Sequence, residues 1–512
     1  MGRLFGLETE YGIQVDGVGD VDVVVESMEL VRCYLQADFV AMWDYGLENP
    51  RLDARGFEVQ ELRNDQDETV HLQRDRQRQI PLQELKSDLV IHNGARFYND
   101  HTHPEYATPE CRRLLDLVAA DRAGERILLH CGQRRTALRG SGTVRLFKNN
   151  TDFQGHSYGC HENYLIDRAT PFAAVIDGLL PFLATRSVFT GAGKVGVERE
   201  RARGVRYQLS QRADFFDTVA SIDTMHRRPL VNTRDEPHAD PARYRRLHVI
   251  TGDANMAEYA TALKVGSMVL VLDLLELGEL PSLALADPVG ALKDVSRDAS
   301  RRWLVELEGG RQTTALQIQQ AILARARALL AGRDADTDWV LREWQHVLDH
   351  LPERSGELVG QLDWVTKEWL LGAFAEAEGL DWEDPDDQAW LQSQDLEYHN
   401  LDPQDGLFRL LESQGRTARL TDEEQVGRAL IEPPADTRAR FRGGCLEKFG
   451  GSIRALNWDS IEFGHNGAVE VLDLKHCIGP AESEAYVRAL EAAATVDDLL
   501  VRLAGRSEVG RH

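Results

Sequence analysis

The 512-residue sequence contains no long hydrophobic run, no closely spaced cysteine pair and no excess of positive charge. Its most apolar stretch, residues 268–277, is interrupted by Asp273 and Glu276, whereas a membrane helix needs about 20 apolar residues in succession. The opening residues reach Glu8 and Glu10 without the apolar core of a signal peptide. We therefore expect neither a membrane segment nor a secretory leader.

The six cysteines are widely spaced and include no Cys-x-x-Cys motif. This pattern is typical of reduced thiols and predicts a cytoplasmic protein. Asp and Glu number 84 against 59 Lys and Arg, which gives a net charge of −25. Such a balance argues against sequence-independent nucleic-acid binding, which requires a basic surface, and against docking on anionic lipid.

Hydrophobic residues make up 42% of the sequence, enough for a sizeable core. The two prolines of the segment IEPPAD, residues 431–436, indicate a domain boundary. We predict a large first domain over residues 1–432 and a small C-terminal domain over 433–512. The expected elements of the small domain are a helix (437–449), two short strands that flank the hairpin signal Asn466-Gly467, and a last helix (481–504).

Residues 44–88 differ from the rest of the first domain because they are polar, highly charged and only weakly periodic. They predict a long loop inserted between two regular elements. Loops of this length inside compact domains are usually functional or disordered. A solvated insertion without a role is the alternative.

Four strand-like segments carry polar residues at alternate positions, which point to the same face of a strand. On one antiparallel sheet they would form a floor of carboxylates, imidazoles and arginines. Carboxylates with a few imidazoles suit hard cations such as Mg²⁺, and arginines suit phosphate oxygens. Any single pair could equally belong to an ordinary exposed sheet face. The residues are Glu8 and Glu10; Arg96, Tyr98 and Asp100; His161 and Asn163; and Arg246 and His248.

At these segments the sequence resembles a known family. The motifs that carry the resemblance are GLETEYG, NGARFYNDHTHPEYATPEC, FKNNTD, SYGCHENYL, LSQRA, NTRDEPHADPARYRRLHVITGDANMAE and NWDS. They are similar to those of the Pup ligase and Pup deamidase/depupylase family, within the carboxylate-amine ligases of glutamine-synthetase-like fold. The resemblance covers nearly the whole chain. It implies an α+β fold with a curved antiparallel sheet packed against helices, ATP and Mg²⁺ on its concave face, and a small C-terminal α/β domain.

The resemblance also implies roles for individual residues. Asp100 matches the catalytic aspartate, which would attack a carbonyl carbon or activate the water that does so; both roles stay open. The positions matching metal ligands are Glu8, Tyr98, Glu105, His161 and His248, and those matching ATP contacts are Glu10, Arg96, Thr108, Asn163, Arg246 and Trp458.

Two branches of the family catalyse opposite reactions. Three features favour the depupylase branch: the insertion at 44–88, the spacing in DHTHPEY and the segment GGSIRALNWDSIEF. The segments KNNTD and SYGCHENYL are closer in sequence to the ligase motifs. The expected activity is an Mg-ATP-dependent hydrolase that removes Pup from pupylated proteins and deamidates the C-terminal Gln of Pup. The alternatives are a Pup–protein ligase, a small-molecule carboxylate-amine ligase and a Pup-binding adaptor with an inactive site. The oligomeric state stays open.

Overall fold

The computed structural model describes residues 1–19, 21–35, 42–63, 74, 77–198, 204–465, 468–504 and 509–511. The strands of this part are β1 (Phe5–Glu10), β2 (Gly12–Asp16), β3 (Leu52–Asp53), β4 (Phe57–Glu58), β5 (Leu89–Val90), β6 (Arg96–Asp100), β7 (His103–Ala107), β8 (Thr143–Phe147), β9 (Cys160–Asp167), β10 (Lys194–Val195), β11 (Tyr207–Gln208), β12 (Phe216–Ser221), β13 (Arg228–Asn232), β14 (Tyr244–Val249), β15 (Leu304–Glu306), β16 (Gln312–Thr314), β17 (Ile453–Leu456), β18 (Ser460–His465), β19 (Ala468–Asp473) and β20 (Val509–Arg511).

The helices lie mostly after β7 and become dominant in the second half of the chain. They are α1 (Val23–Arg32), α2 (Leu82–Lys86), α3 (Leu114–Arg139), α4 (Phe172–Thr185), α5 (Ser187–Thr190), α6 (Glu258–Glu276), α7 (Pro288–Arg297), α8 (Ala315–Leu330), α9 (Ala335–His350), α10 (Asp363–Glu378), α11 (Pro385–Tyr398), α12 (Leu407–Ser413), α13 (Glu423–Ala429), α14 (Arg438–Phe449), α15 (Pro480–Ala492) and α16 (Val496–Leu503).

The largest sheet has six strands in the order β14-β9-β1-β7-β6-β5, each antiparallel to its neighbours. Burial alternates along β1, where Phe5, Leu7 and Thr9 are buried and Glu8 and Glu10 face an open side. Apolar residues on one face pack against helices, as strand periodicity requires. The predicted α+β class with an antiparallel sheet packed against helices is confirmed.

Helix α3 packs closely on the apolar face of this sheet. A Cβ atom at Gly124 would lie 2.4 Å from the ring of Tyr106 on β7, so the close approach requires glycine. Helix α6 is buried along its whole length except at Asp273 and Glu276. These two carboxylates bind the guanidinium of Arg3 at 2.6 and 2.8 Å. In the described parts of the chain, no helix combines the length and the apolar character that crossing a membrane requires.

The C-terminal segment has a separate apolar cluster. Strands β17–β20 form a four-stranded antiparallel sheet, and helices α14, α15 and α16 pack against it. Trp43 and Val90, from outside this segment, are buried in the same cluster. Residues from before position 433 therefore contribute side chains to the C-terminal cluster.

The prediction of one last helix over 481–504 is wrong. The helical region is divided into α15 and α16, and the side chain of Thr495 caps the second helix by accepting a hydrogen bond from the Asp498 N–H at 3.2 Å. The predicted strand pair is observed as β18 and β19. The hairpin signal Asn466-Gly467 between them lies outside the described residues.

The insertion at 44–88 is not a featureless loop where it is described. Its first part forms a 3₁₀ turn (Tyr45–Leu47) and the small hairpin β3–β4, and its last part forms α2. The hairpin is fixed to the loop after β13, because Thr233 Oγ1 donates to Asp53 Oδ2 at 2.6 Å. Residues 64–73 and 75–76 lie outside the described residues.

A buried ion pair lies on the helix-covered side of the sheet. Glu162 of β9 accepts two hydrogen bonds from Arg186, at 2.5 and 2.9 Å, and both side chains are at most 2% exposed. Removing one member of such a pair leaves an uncompensated buried charge.

We expect Arg186→Met to lower the free energy of unfolding by about 3–5 kcal/mol because Glu162 would lose its partner. The measurement is urea denaturation followed by circular dichroism. The matched control is Arg428→Met, which removes the exposed pair Arg428–Glu424 at 2.7 Å and should cost less than about 1 kcal/mol. Equal losses in the two variants would contradict the assignment.

Candidate active site

The open face of the sheet collects polar side chains from five strands. In the strand register Glu8 lies opposite His161, Glu10 opposite Glu105, and Tyr98 opposite Glu105. His248 of β14 extends the same face beyond β9. The prediction that the four polar segments lie on one antiparallel sheet is therefore confirmed.

One group on this face joins a carboxylate to two imidazoles. The Oε2 atom of Glu8 lies 3.4 Å from His161 Nδ1 and 3.5 Å from His248 Nε2. Burial alone would raise the pKa of Glu8, but the two histidines outweigh it and hold that pKa well below its ordinary value. Burial lowers the pKa of His248 to about 3, so this ring is neutral. An ionised carboxylate and a neutral imidazole are the forms that ligate metal ions.

Hydrogen bonding around His248 supports a cation at this group. Both ring nitrogens are buried, and neither has a hydrogen-bond partner among the described residues. Buried polar atoms are normally satisfied, so an unpaired ring beside a carboxylate fits a site that receives a ligand. Ligand atoms of Glu8, His161 and His248 all lie within 4.8 Å of one another.

A second group consists only of carboxylates. Oxygen atoms of Glu10, Asp100 and Glu105 lie within 4.8 Å of one another. Burial, together with the charges of Asp100 and Glu10, raises the pKa of Glu105 well above its ordinary value. Burial and Asp100 likewise raise the pKa of Glu10. A cation would relieve this repulsion, and an all-oxygen set suits Mg²⁺.

Asp100 differs from the other two carboxylates of its group. Its side chain is 44% exposed, and the ammonium of Lys86 lies 3.4 Å from Oδ1. Burial in the cleft by itself raises the pKa of Asp100. The charge of Lys86, together with His101 and Arg96, outweighs this effect, so the pKa of Asp100 lies below its ordinary value. Asp100 is thus the accessible, ionised carboxylate of the face.

Arg96 contacts residues at both ends of the insertion and a neighbour on its own strand. Its guanidinium carbon lies 3.8 Å from the centre of the Trp43 ring and 3.9 Å from that of Tyr98. The same group pairs with Asp88 at 2.5 Å and donates to the hydroxyl of Tyr45 at 2.9 Å. Arg96 therefore carries a fixed positive charge beside Asp100.

A pocket opens at the other end of the face, between the sheet and the C-terminal segment. Arg246 donates to Asn163 at 2.6 Å, and Asn163 donates to Glu8 at 2.9 Å, which links the pocket to the group of Glu8, His161 and His248. Gly6 leaves space in the floor, because a Cβ atom there would lie 3.2 Å from Thr108 Oγ1. An apolar cleft with an arginine beside a cation site fits a nucleotide. Four of the predicted ATP residues line it: Thr108, Asn163, Arg246 and Trp458.

The other predicted residues have different surroundings. Glu10 and Arg96 lie farther along the sheet than the pocket, and Glu10 belongs to the all-carboxylate group. Burial and the neighbouring Glu105 raise the pKa of Tyr98 well above its ordinary value, so its phenol is neutral. The roles assigned to these three residues stay predictions.

Sequence reasoning missed several residues of the site. Lys86 belongs to the polar insertion, and the sequence analysis does not predict it as a site residue. The same is true of His103, whose Nδ1 lies 3.7 Å from Glu10 Oε2. His238 and Arg438 line the pocket and were also not singled out. The position of His103, which lies opposite Asp100 at the start of β7, could have indicated that His103 belongs to the site.

Comparison with known proteins agrees with this geometry. A family model described as "Pup-ligase protein" matches residues 3–462. A depupylase from Acidothermus cellulolyticus is 45% identical over 478 residues, covering 90% of this chain and 91% of the relative. A Pup deamidase/depupylase from Mycolicibacterium smegmatis is 41% identical over 505 residues, covering 96% and 97%. A Pup–protein ligase from Acidimicrobium ferrooxidans is 45% identical over 366 residues, covering 70% and 79%.

Two solved structures share the fold. The Pup ligase PafA in complex with Pup superimposes with a TM-score of 0.78 at 31% identity, covering 99% of this chain and 95% of that one. PafA in complex with ADP gives a TM-score of 0.72 at 34% identity, covering 88% and 98%. With a family match over most of its length and relatives that align nearly end to end, the chain belongs to the Pup ligase family.

Proposed function

We propose that the chain is a hydrolase that cleaves the isopeptide bond between Pup and a lysine of a pupylated protein, and that it deamidates the C-terminal Gln of Pup. The observation that carries this proposal is Asp100, accessible and ionised beside Lys86 on a face with two cation-binding groups. The relatives named for depupylation cover at least 90% of the chain, against 70% for the ligase relative. A cytoplasmic location stays a prediction.

Asp100 would act as an ionised carboxylate. In one route its oxygen attacks the side-chain carbonyl carbon of the last residue of Pup, the C–N bond breaks, the amine leaves with a proton from solvent, and water opens the acyl anhydride. In the other route Asp100 takes a proton from the attacking water. Both routes require the unprotonated form, which Lys86 and Arg96 favour.

The cofactors of this proposal are ATP and Mg²⁺. Thr108, Asn163, Arg246 and Trp458 would hold the nucleotide. Glu8, His161 and His248, together with Glu10 and Glu105, would hold the cations. When bound, Mg²⁺ would supply positive charge at the carboxylates of the face and at the phosphates of the nucleotide. Amide hydrolysis needs no energy from ATP, so the nucleotide would not be consumed in proportion to product.

We also propose that residues 433–512 form the C-terminal domain that carries Trp458 to the nucleotide pocket. Trp458 lies between β17 and β18 and packs edge-on against Trp43, with ring centres 5.8 Å apart. Its ring also lies 5.0 Å from the guanidinium of Arg442 on α14. These contacts support a fixed orientation of the indole at the mouth of the pocket.

We expect Asp100→Ala to lower the rate of Pup release from a conjugate by about 10³-fold or more, because the reacting carboxylate is lost. Mass spectrometry of free Pup and free target, with Mg²⁺ and ATP present, measures the rate. Nucleotide affinity should change little, and Asp405→Ala on the surface is the control. If the unmodified protein instead joins Pup to lysines and releases ADP in equal amounts, the ligase alternative is correct.

We expect Lys86→Met to lower kcat by about 10²-fold with little change in KM, because the ammonium of Lys86 favours the ionised form of Asp100. Lys86→Arg should restore most of the rate by keeping a cation at this position. Lys475→Met, a surface lysine, serves as the control. A change confined to KM would contradict a positioning role.

We expect fewer than one ADP to form per Pup released over many turnovers, and complete loss of activity when EDTA removes divalent cations. The ADP-to-product ratio, measured by chromatography alongside mass spectrometry, tests this directly. A constant ratio of one would show that nucleotide hydrolysis is coupled to the reaction.

A further inference from the structure

Helix α10 is apolar on two opposite sides. One side is buried in the core through residues such as Leu371 and Ala375. On the other side Trp369, Ala373 and Ala377 follow one another at helical spacing and are exposed, with the indole of Trp369 37% accessible. A surface helix normally places polar residues on its outward face. The outward apolar side of α10 therefore requires an explanation.

The neighbouring helix extends this side. Trp390 of α11 is 39% exposed and packs edge-to-face on Phe374 of α10, with ring centres 6.2 Å apart. Leu370, half-buried, lies between Trp369 and Phe374 on the helix surface. We call this the α10–α11 apolar face and define it by Trp369, Leu370, Ala373, Phe374, Ala377 and Trp390. Contiguous exposed aromatic and aliphatic side chains of this kind mark interaction sites.

Most of the charge around the face is negative, and the guanidinium of Arg416, 4.6 Å from the centre of the Trp369 ring, is a cation that contacts it. Residues 368–408 contain twelve Asp and Glu and no Lys or Arg. Three of the twelve are paired with cations elsewhere: Glu368 with Arg301, Asp395 with Lys367 and Glu397 with Arg145. The seven acids from the last turn of α10 to the first turn of α11 form no ion pair with any residue in the ranges that the structure covers. They are Glu376, Glu378, Asp381, Glu383, Asp384, Asp386 and Asp387.

We propose that the α10–α11 apolar face binds a basic, amphipathic segment of a partner protein. Apolar side chains of the partner would cover Trp369 and Trp390, and its Lys and Arg side chains would meet the unpaired acids. Charge complementarity selects this occupant. A second copy of the chain, at a net charge of −25, would bring like charge to the face, and so would nucleic acid or an anionic membrane.

This surface is separate from the proposed catalytic face. None of its six residues lines the nucleotide pocket or belongs to the two cation-binding groups. Its partner could therefore bind without occupying the cleft, and failure of this proposal would leave the hydrolase proposal untouched.

The test uses a fluorescein-labelled helical peptide with Leu and Trp on one face and Lys on the other, titrated with the full-length protein and followed by fluorescence anisotropy. Trp369→Ser combined with Trp390→Ser should weaken binding by about tenfold or more, because exposed tryptophans dominate such interfaces. Glu376→Gln, Glu378→Gln and Glu383→Gln together should weaken it and reduce its salt dependence.

Matched controls separate this face from general attraction to an acidic protein. Leu138→Ser removes an apolar residue elsewhere that is more exposed than either tryptophan, at 70%, and Glu424→Gln, Glu447→Gln and Glu484→Gln remove three other exposed acids. These variants should bind as the parent does, and Pup release should be unchanged in all of them. Three results would each overturn the proposal. The face and control variants could lose binding equally, or a peptide with Glu in place of Lys could bind equally well. The third is self-association of the protein that the tryptophan substitutions abolish.

Discussion

Electrostatic repulsion between carboxylates on one sheet face is the constraint on which the rest of the site depends. Glu10, Asp100 and Glu105 have oxygen atoms within 4.8 Å of one another, and Glu8 lies next to them in the strand register. Such a group is stable only if positive charge is supplied close by or if one of its members takes up a proton. The surrounding cationic side chains provide such positive charge, and the proposed metal cations would add to it.

The insertion supplies much of this charge compensation. Its last helix carries Lys86 to Asp100, and Asp88 holds Arg96 between two aromatic rings. Its first residue is tied to the C-terminal segment, because the backbone N–H of Asp44 donates to Asn457 Oδ1 at 3.0 Å and Asn457 Nδ2 donates to the Asp44 carbonyl at 2.9 Å. The same segment therefore contacts Asp100 and the element that carries Trp458. In the proposed function this segment would position both the reacting carboxylate and the tryptophan beside the nucleotide.

The sequence predicted those parts of the fold and site that depend on local pattern. Alternation in β1 identified which side chains share a face, because strand geometry fixes it. Alternation does not reveal which strands are neighbours, and only the resemblance to the family indicated Thr108 and Trp458. Lys86 was missed because its partner lies in another element. The division of the last helix was missed because Thr495, a modest helix former, becomes a cap only when the chain bends there.

The position of β1 in the sheet has a consequence for how the protein is made. This strand precedes all of its partners in the sequence, yet it lies in the interior of the sheet and pairs with residue 107 on one side and residue 161 on the other. The outer strand β14 comes later still. During synthesis β1 therefore stays unpaired in this sheet until the strands that contain residues 107 and 161 have been made. Such long-range closure is slow and leaves hydrophobic strand edges open, so this chain should depend on chaperones during translation.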